Sequence, residues 1–179
     1  MTGADLNRPV ETQGRVIWIT GLSGAGKTTL ARALLPNLPQ PRLLLDGDDM
    51  REALGLMAGG YERADRLRLA RTYASLCRLA ANQGQTVVCA TISLFHEVQA
   101  WNRENLPGYL EVFIDAPPEV LRDRDYKQVY DRAGGAEVMG QGLAPETPLN
   151  PDVHIRAERG ITVGEAVAEV LKALTRKGR

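Results

Sequence analysis

The segment Gly21–Thr28, whose sequence is GLSGAGKT, contains the residues with the most evident chemistry. It matches the pattern GxxxxGK[ST], in which glycines allow backbone N–H groups to turn inward around a phosphate. In this pattern Lys27 would reach the β- and γ-phosphates of a nucleotide, and the Thr28 hydroxyl would hold Mg²⁺. The alternative is a glycine-rich turn that merely links a strand to a helix. The predicted phosphate-binding residues are Gly21, Ser23, Gly24, Ala25, Gly26, Lys27, Thr28 and Thr29.

A second group of candidates is the acidic run Asp46–Asp49. Asp48 could take a proton from an acceptor hydroxyl, or could order Mg²⁺ through water. The alternative is that these aspartates cap a helix near Met50. Because ligands bind beyond the carboxyl ends of the strands in an open parallel sheet, we expect the residues that follow four strands to converge on one crevice. These are the phosphate-binding loop, Asp46–Asp49, Ser93 and Asp115.

Basic residues are concentrated around a predicted long helix, where five arginines accompany two acidic residues, Glu62 and Asp65. A solvated helix face is the usual explanation for such a run. The excess of positive charge near a phosphate site could instead bind an anionic acceptor, with Arg66 and Arg71 as the favoured residues. Tyr61, which precedes the helix, could stack on a nucleobase or pack in the core. The five arginines are Arg63, Arg66, Arg68, Arg71 and Arg78.

The stretch Ala133–Pro151 is rich in glycine and proline and has few apolar positions. An irregular segment of this length inside a compact domain is more often a functional lid than a structureless connection. Arg122, Arg124 and Lys127 precede it, and such cations could stabilise charge on a transferring phosphoryl group, with Arg124 on the ATP phosphates. Ion pairing with the neighbouring aspartates is the alternative. We expect a lid at about residues 125–150.

Strands and helices alternate along the rest of the chain, which predicts an α/β fold with a mostly parallel sheet covered by helices on both faces. We expect a three-layer sandwich of the P-loop NTPase type, with residues 1–14 as a leader and 15–176 as a single domain that includes the lid. Strands are predicted at Arg15–Thr20, Leu43–Leu45, Gln85–Ile92, Tyr109–Ile114 and Val153–Ile155. Helices are predicted at Thr28–Leu35, Arg63–Gln83, His96–Asn105, Pro117–Arg124 and Glu165–Leu174, the last opened by a capping box from Thr162 to Glu165.

The overall composition excludes several classes of partner. The 179 residues carry 22 Lys and Arg against 22 Asp and Glu, and this balance disfavours binding to nucleic-acid backbone or to an anionic membrane. No apolar run approaches the roughly 20 residues that span a bilayer, and the start of the chain lacks the order of a signal peptide, so we expect a cytoplasmic protein. Cys77 and Cys89 have no metal-ligand spacing and are predicted to be reduced core residues.

Together these motifs resemble the adenylylsulfate kinases, which transfer the γ-phosphoryl group of ATP to the 3′-hydroxyl of adenosine 5′-phosphosulfate. The resemblance extends from about Val16 to Leu174. It implies that Lys27, Asp48 and Lys127 are catalytic and that Mg²⁺ accompanies ATP. Beyond the phosphate-binding loop it includes Leu45-Asp-Gly-Asp48 with Arg51, Gly60-Tyr61 to Asp65-Arg66, Ile92-Ser93, Glu111-Val-Phe-Ile-Asp115, Arg124-Asp125-x-Lys127-x-x-Tyr130 and Asn150-Pro151-Asp152. The acceptor-binding residues that it implies are Asp46, Asp48, Arg51, Tyr61, Arg66, Arg71, Ile92, Ser93, Phe95 and Lys127.

The departures from the family pattern fall on the acceptor side. The chain has Tyr61 where the family has Phe, Leu69 where it usually has Asn, and Leu94-Phe95-His96 where it has Pro-Tyr-Arg. The lid phenylalanine that sandwiches adenine in the family has no counterpart in Gly140–Pro145, and the lid segment is shorter.

A related branch also resembles the chain. The segments Cys89–Phe95 and Trp101–Asn105 are similar to those of the cytidine diphosphoramidate kinases, so the acceptor is either adenylylsulfate or another nucleotide such as cytidine diphosphoramidate. A non-kinase NTPase, such as a GTPase switch, and a nucleotide-binding module without catalysis are further alternatives. No Asn/Thr-Lys-x-Asp guanine signature is present. Assembly as a homodimer is left open.

Overall fold

A computed structural model describes residues 14–55, 62–123, 144–157 and 160–177. Residues 1–13 of the predicted leader, most of the predicted lid, and the predicted site residues Tyr61, Arg124 and Lys127 lie outside these described residues. The strands are β1 Arg15–Thr20, β2 Arg42–Asp46, β3 Thr86–Thr91, β4 Leu110–Asp115 and β5 Val153–Arg156. The helices are α1 Lys27–Leu34, α2 Gly47–Ala53, α3 Arg63–Ala81, α4 His96–Asn105, α5 Pro118–Asp123 and α6 Val163–Lys177, and a 3₁₀ turn at Leu35–Asn37 follows α1. Each predicted strand and helix is confirmed, and the bounds differ by a few residues at most.

The five strands form one parallel sheet in the order β2-β3-β1-β4-β5. The central strand β1 pairs with β3, with Thr20 opposite Thr91, and with β4, with Thr20 opposite Phe113. All parallel strands end at the same edge of the sheet, so the residues that follow them meet there.

Helices cover both faces of the sheet, which confirms the three-layer α/β sandwich. Side chains alternate across β1, so that Ile17 and Ile19 pack in one core and Val16 and Trp18 pack in the other. The first core is completed by α1 and α6, and the second by α3 and α4. Because each inner strand is buried on both faces, it consists of a continuous apolar run instead of an alternating pattern.

Two smaller predictions about the fold are also confirmed. Cys77 and Cys89 are both free thiols and fully buried in the core between α3 and the sheet. The Thr162 N–H donates to Oε2 of Glu165 at 2.8 Å, and the Glu165 N–H donates back to the Thr162 hydroxyl at 3.2 Å, which is a capping box at the start of α6. Among the residues described, none of the helices is long and apolar enough to cross a membrane.

Candidate active site

A cavity of about 630 Å³ opens at the carboxyl edge of the sheet. Its floor is the loop between β1 and α1, one wall is built by the residues after β2 and β3 together with α3, and the opposite wall by the residues after β5. The cavity therefore lies where an open parallel sheet binds its ligands.

The loop between β1 and α1 has the backbone shape that a phosphate site requires. Gly24 and Gly26 have positive φ values of 78° and 99°, a region that glycine enters without steric penalty. At Gly21 a Cβ would lie 2.5 Å from the carbonyl oxygen of Ile114, so only glycine fits beside β4. The loop leads directly into α1 at Lys27, whose Nζ donates a 2.7 Å hydrogen bond to the carbonyl of Leu22. The glycines of this loop allow backbone N–H groups to turn toward a phosphate, and the first residues of α1 line the cavity.

Thr28 and Asp46 connect this loop to the acidic run. The Thr28 hydroxyl donates to Oδ2 of Asp46 at 2.6 Å, and Asp46 is 7% exposed. The other oxygen, Oδ1, accepts the N–H of Asp48 at 3.0 Å and so caps α2. The capping interpretation is thus confirmed for Asp46. The same carboxylate also accepts the hydroxyl of Thr28, the predicted Mg²⁺ ligand.

The acceptor-side wall contains six of the predicted acceptor residues besides Asp46. Phe95 is 2% exposed, and the guanidinium of Arg63 lies 5.3 Å from the centre of its ring, which fixes the ring against the wall. Leu69 and Tyr73 complete the apolar part of this wall. The six predicted residues that line the cavity here are Asp48, Arg51, Arg66, Ile92, Ser93 and Phe95.

The segment after β3 is held in an uncommon backbone conformation. Ser93 has a φ of +24°, and it is the one non-glycine residue with positive φ among those described. Its hydroxyl lies 2.9 Å from that of Thr91, and the Thr20 hydroxyl donates to the carbonyl of Ile92. Strain of this kind persists where surrounding contacts enforce it, and at this position it orients Ile92 and Ser93 into the cavity.

Asp115 does not join the cavity, so the prediction that four strand ends converge is wrong for β4. Side chains alternate along a strand, and it is Ile114 that lines the cavity. The carboxylate of Asp115 lies instead 3.1 Å from His154 on β5, on the side where Phe113 stacks on the same imidazole.

Arg71 also lies outside the cavity lining. Its guanidinium donates to Oε2 of Glu97 at 2.8 Å, and its side chain is well exposed. Arg71 lies about two turns from the start of α3, on the face that meets α4. A role for Arg71 in acceptor binding stays a prediction.

Sequence reasoning missed the wall of the cavity that follows β5. This wall is mostly apolar and comes from the end of β5, the first turn of α6 and the residues between them. The position of β5 at the same sheet edge was the available signal, but aliphatic side chains suggest no chemistry by themselves. The residues are Ile155, Ala157, Ile161, Thr162, Val163 and Ala166.

Glu146 lies in the described segment that precedes β5 and attaches this segment to the acceptor-side wall. Its carboxylate accepts from Arg63 at 2.8 Å and from the backbone N–H of His96 at 2.7 Å, at the start of α4. The hydrogen bond from Arg63, followed by that from the His96 backbone, lowers the pKa of Glu146. The same arginine lies over the ring of Phe95, so Glu146 stabilises the acceptor-side wall indirectly, by holding Arg63 in place.

Comparison with known proteins identifies a protein family that the chain resembles. The model of the adenylylsulphate kinase family matches residues 13–156. An adenylyl-sulfate kinase of Deinococcus deserti is 41% identical over 179 residues, which cover 96% of this chain and 97% of that protein. A cytidine diphosphoramidate kinase of Campylobacter jejuni is 38% identical over 126 residues, which cover 69% of this chain and 73% of that protein.

A solved structure gives the same result at the level of the fold. The Mycobacterium tuberculosis APS kinase, solved in complex with AMPPNP and APS, superposes with a TM-score of 0.78 and 30% sequence identity. The match covers 91% of this chain and 98% of the other.

Proposed function

The chain belongs to the adenylylsulphate kinase family, and we propose that it transfers the γ-phosphoryl group of ATP to the ribose 3′-hydroxyl of adenosine 5′-phosphosulfate. The observation that carries this proposal is the arrangement of one cavity, with a phosphate-binding floor between an apolar wall and a wall that holds Asp48 and two arginines. Such a cavity accommodates two nucleotides whose phosphates meet above Lys27.

ATP would lie between the floor and the wall that follows β5. The N–H groups of the loop and the positive end of α1 bind its phosphates, and Lys27 neutralises the β- and γ-phosphates. The apolar side chains of Ile155, Ile161 and Val163 offer a surface for the nucleoside.

The residues at the floor fit a Mg²⁺ ion that accompanies ATP. Mg²⁺ is usually held by one or two protein oxygens together with phosphates and water. Thr28 donates its proton to Asp46, which leaves the lone pairs of its Oγ1 for the metal, and the buried carboxylate of Asp46 adds compensating negative charge. When bound, the ion would neutralise the charge that develops on the β- and γ-phosphates. We therefore assign the metal to Thr28 and Asp46 in preference to Asp48.

Asp48 would act on the acceptor hydroxyl. Its carboxylate accepts the proton of the 3′-hydroxyl as the oxygen forms a bond to the γ-phosphorus, and the bond from that phosphorus to the β-phosphate oxygen breaks to release ADP. Arg51 and Arg66, which line the same wall, bind the anionic groups of the acceptor and hold it in line with ATP.

A second candidate function is phosphorylation of a cytidine nucleotide such as cytidine diphosphoramidate. It is favoured by the Campylobacter jejuni relative and by the residues at positions 94–96, which depart from the family pattern. Of these three, Leu94 is fully buried and the His96 ring contacts the carbonyl of Thr147, so Phe95 is the one that lines the cavity. The preference of the enzyme for one acceptor over the other would therefore depend on Phe95 and its neighbours.

A coupled ADP-release assay tests the proposal. We expect adenylylsulfate to give the highest kcat/KM among adenylylsulfate, cytidine diphosphoramidate and common nucleotides. Faster turnover with cytidine diphosphoramidate would favour the second candidate, and ADP release that no acceptor increases would indicate an NTPase.

A further inference from the structure

Tyr73 on α3 contacts the acidic run at Gly47. Its side chain is 3% exposed, and its hydroxyl donates a 2.9 Å hydrogen bond to the carbonyl oxygen of Gly47. Gly47 lies between Asp46, beside the metal position, and Asp48, the proposed base. We propose that Tyr73 is a positioning residue that holds Asp48 in its catalytic orientation through the Gly47–Asp48 peptide. This inference rests on the proposed function, because it assumes that Asp48 receives the acceptor proton.

The Gly47–Asp48 peptide group is held at both ends. Its carbonyl oxygen accepts the Tyr73 hydroxyl, and its N–H, which belongs to Asp48, donates to Oδ1 of Asp46 at 3.0 Å. A peptide group is planar, so two hydrogen bonds on opposite sides fix its rotation. The direction in which the Asp48 side chain leaves the backbone is thereby fixed as well.

Packing against β3 prevents the peptide from moving away from Tyr73. A Cβ at Gly47 would lie 3.2 Å from the carbonyl oxygen of Ala90 and 3.4 Å from the hydroxyl oxygen of Thr91. The backbone of Gly47 is thus enclosed between the end of β3 on one side and the Tyr73 hydroxyl on another. Few other conformations are available to Asp48 while both contacts are intact.

The hydroxyl of Tyr73 stays protonated wherever the enzyme works. Its pKa is raised to about 12, chiefly by burial; Arg51 acts in the opposite direction, and Cys89, Asp48 and Asp46 add smaller upward effects. Tyr73 is therefore a permanent hydrogen-bond donor and takes no part in proton transfer.

The hydroxyl distinguishes Tyr73 from the other buried residues of its helix face. Its neighbours on that face, Ala70, Ala74 and Cys77, fill the core with small side chains. A phenylalanine could fill the same volume without the penalty of burying a hydroxyl, so the hydroxyl is explained by the bond that it makes.

The test compares Tyr73→Phe with the wild-type enzyme. Loss of the hydrogen bond should lower kcat about tenfold and leave the KM for ATP within about twofold, because the proposed ATP position is against the opposite wall. Tyr109→Phe is the matched control, since Tyr109 is also buried and donates to Glu111 at 2.9 Å. Tyr109 directly precedes β4, at the end of that strand away from the cavity. That variant should keep the wild-type kcat.

A double-mutant cycle with Asp48→Asn separates positioning from a structural effect. Asp48→Asn should lower kcat by about 10²–10⁴ with little change in ATP affinity. If Tyr73 acts through Asp48, adding Tyr73→Phe to this variant should change kcat by less than about twofold. An unchanged kcat in Tyr73→Phe, or the same loss in both backgrounds, would overturn the proposal.

Amide hydrogen exchange of Asp48, measured by NMR, gives a readout that does not depend on activity. We expect Tyr73→Phe to accelerate exchange of the Asp48 N–H about tenfold and Tyr109→Phe to leave it unchanged. Unchanged exchange in Tyr73→Phe rejects the positioning role. If the wild type transfers no phosphoryl group while Tyr73→Phe still accelerates exchange of the Asp48 N–H, the result would support the positioning of Asp48 and reject the proposed function.

Discussion

The hydroxyl of Thr28 donates a 2.6 Å hydrogen bond to Oδ2 of Asp46, and this contact joins the phosphate-binding loop to the acidic run across 18 residues of sequence. Because Oδ1 of the same carboxylate accepts the N–H of Asp48, one buried side chain connects the metal position to the proposed base. We therefore expect this one carboxylate to influence the positions of both ATP and the acceptor hydroxyl.

We predict that Asp46→Asn weakens the dependence of ATP binding on Mg²⁺. Asparagine can still cap α2, so the substitution removes the charge and keeps the helix start. The gain in ATP affinity on adding Mg²⁺, measured by calorimetry, should fall about tenfold. Asp49→Asn is the control, because Asp49 is an exposed acid in the same helical turn and is not among the residues that line the cavity. If adding Mg²⁺ raised the ATP affinity of Asp46→Asn as much as that of the wild type, Asp46 would not contribute to metal binding.

We predict that Lys27→Ala lowers kcat/KM by at least about 10²–10³, because the lysine neutralises charge that develops on the transferring phosphoryl group. Lys172→Ala, which removes an exposed lysine of α6, should retain wild-type kinetics. The thermal unfolding midpoint of both variants should stay close to that of the wild type. Unchanged kcat/KM in Lys27→Ala would reject the assignment of the loop.

We predict that Glu146 stabilises the fold at neutral pH and not in acid. Its pKa is lowered from the ordinary value of 4.5, chiefly by the hydrogen bond from Arg63. A carboxyl with a depressed folded pKa contributes stability above the unfolded pKa, and this contribution is lost as the pH falls through the folded pKa. Glu146→Gln should therefore lower the urea midpoint at pH 7 and approach the wild type as the pH falls below 4.5.

Urea unfolding followed by tryptophan fluorescence at a series of pH values measures the difference in midpoint between Glu146→Gln and the wild type. Glu104→Gln, on an exposed position of α4, should unfold like the wild type throughout. A destabilisation of Glu146→Gln that is the same at pH 7 and at about pH 3 would mean that the charge of Glu146 does not contribute.

The sequence was most informative where one pattern controls the local backbone. The GxxxxGK[ST] run must pass from a buried strand into a helix, so it located β1, α1 and the cavity floor together. Hydrophobic periodicity was enough for α3 and for the buried strands, because both faces of the sheet are covered.

Predictions failed or were incomplete where the result depends on side-chain direction or on distant packing. Asp115 ends a strand as predicted, but alternation directs Ile114 into the cavity in its place. The hydrogen bond between Thr28 and Asp46 was not predicted, because it depends on the spacing of β1 and β2 with β3 between them. The predicted role of Asp46 in acceptor binding stays a prediction. The contact of Tyr73 with Gly47 spans 26 residues and leaves no local signal in the sequence.

The central claim, adenylylsulfate kinase activity, is tested most directly by competition between acceptors. The enzyme is supplied with γ-labelled MgATP and equal concentrations of adenylylsulfate and cytidine diphosphoramidate, and the ratio of the two labelled products gives the ratio of kcat/KM values. We predict that most of the label appears on the 3′-oxygen of adenylylsulfate and that Lys27→Ala gives neither product. Label predominantly on the cytidine nucleotide, or released only as inorganic phosphate, would contradict the claim.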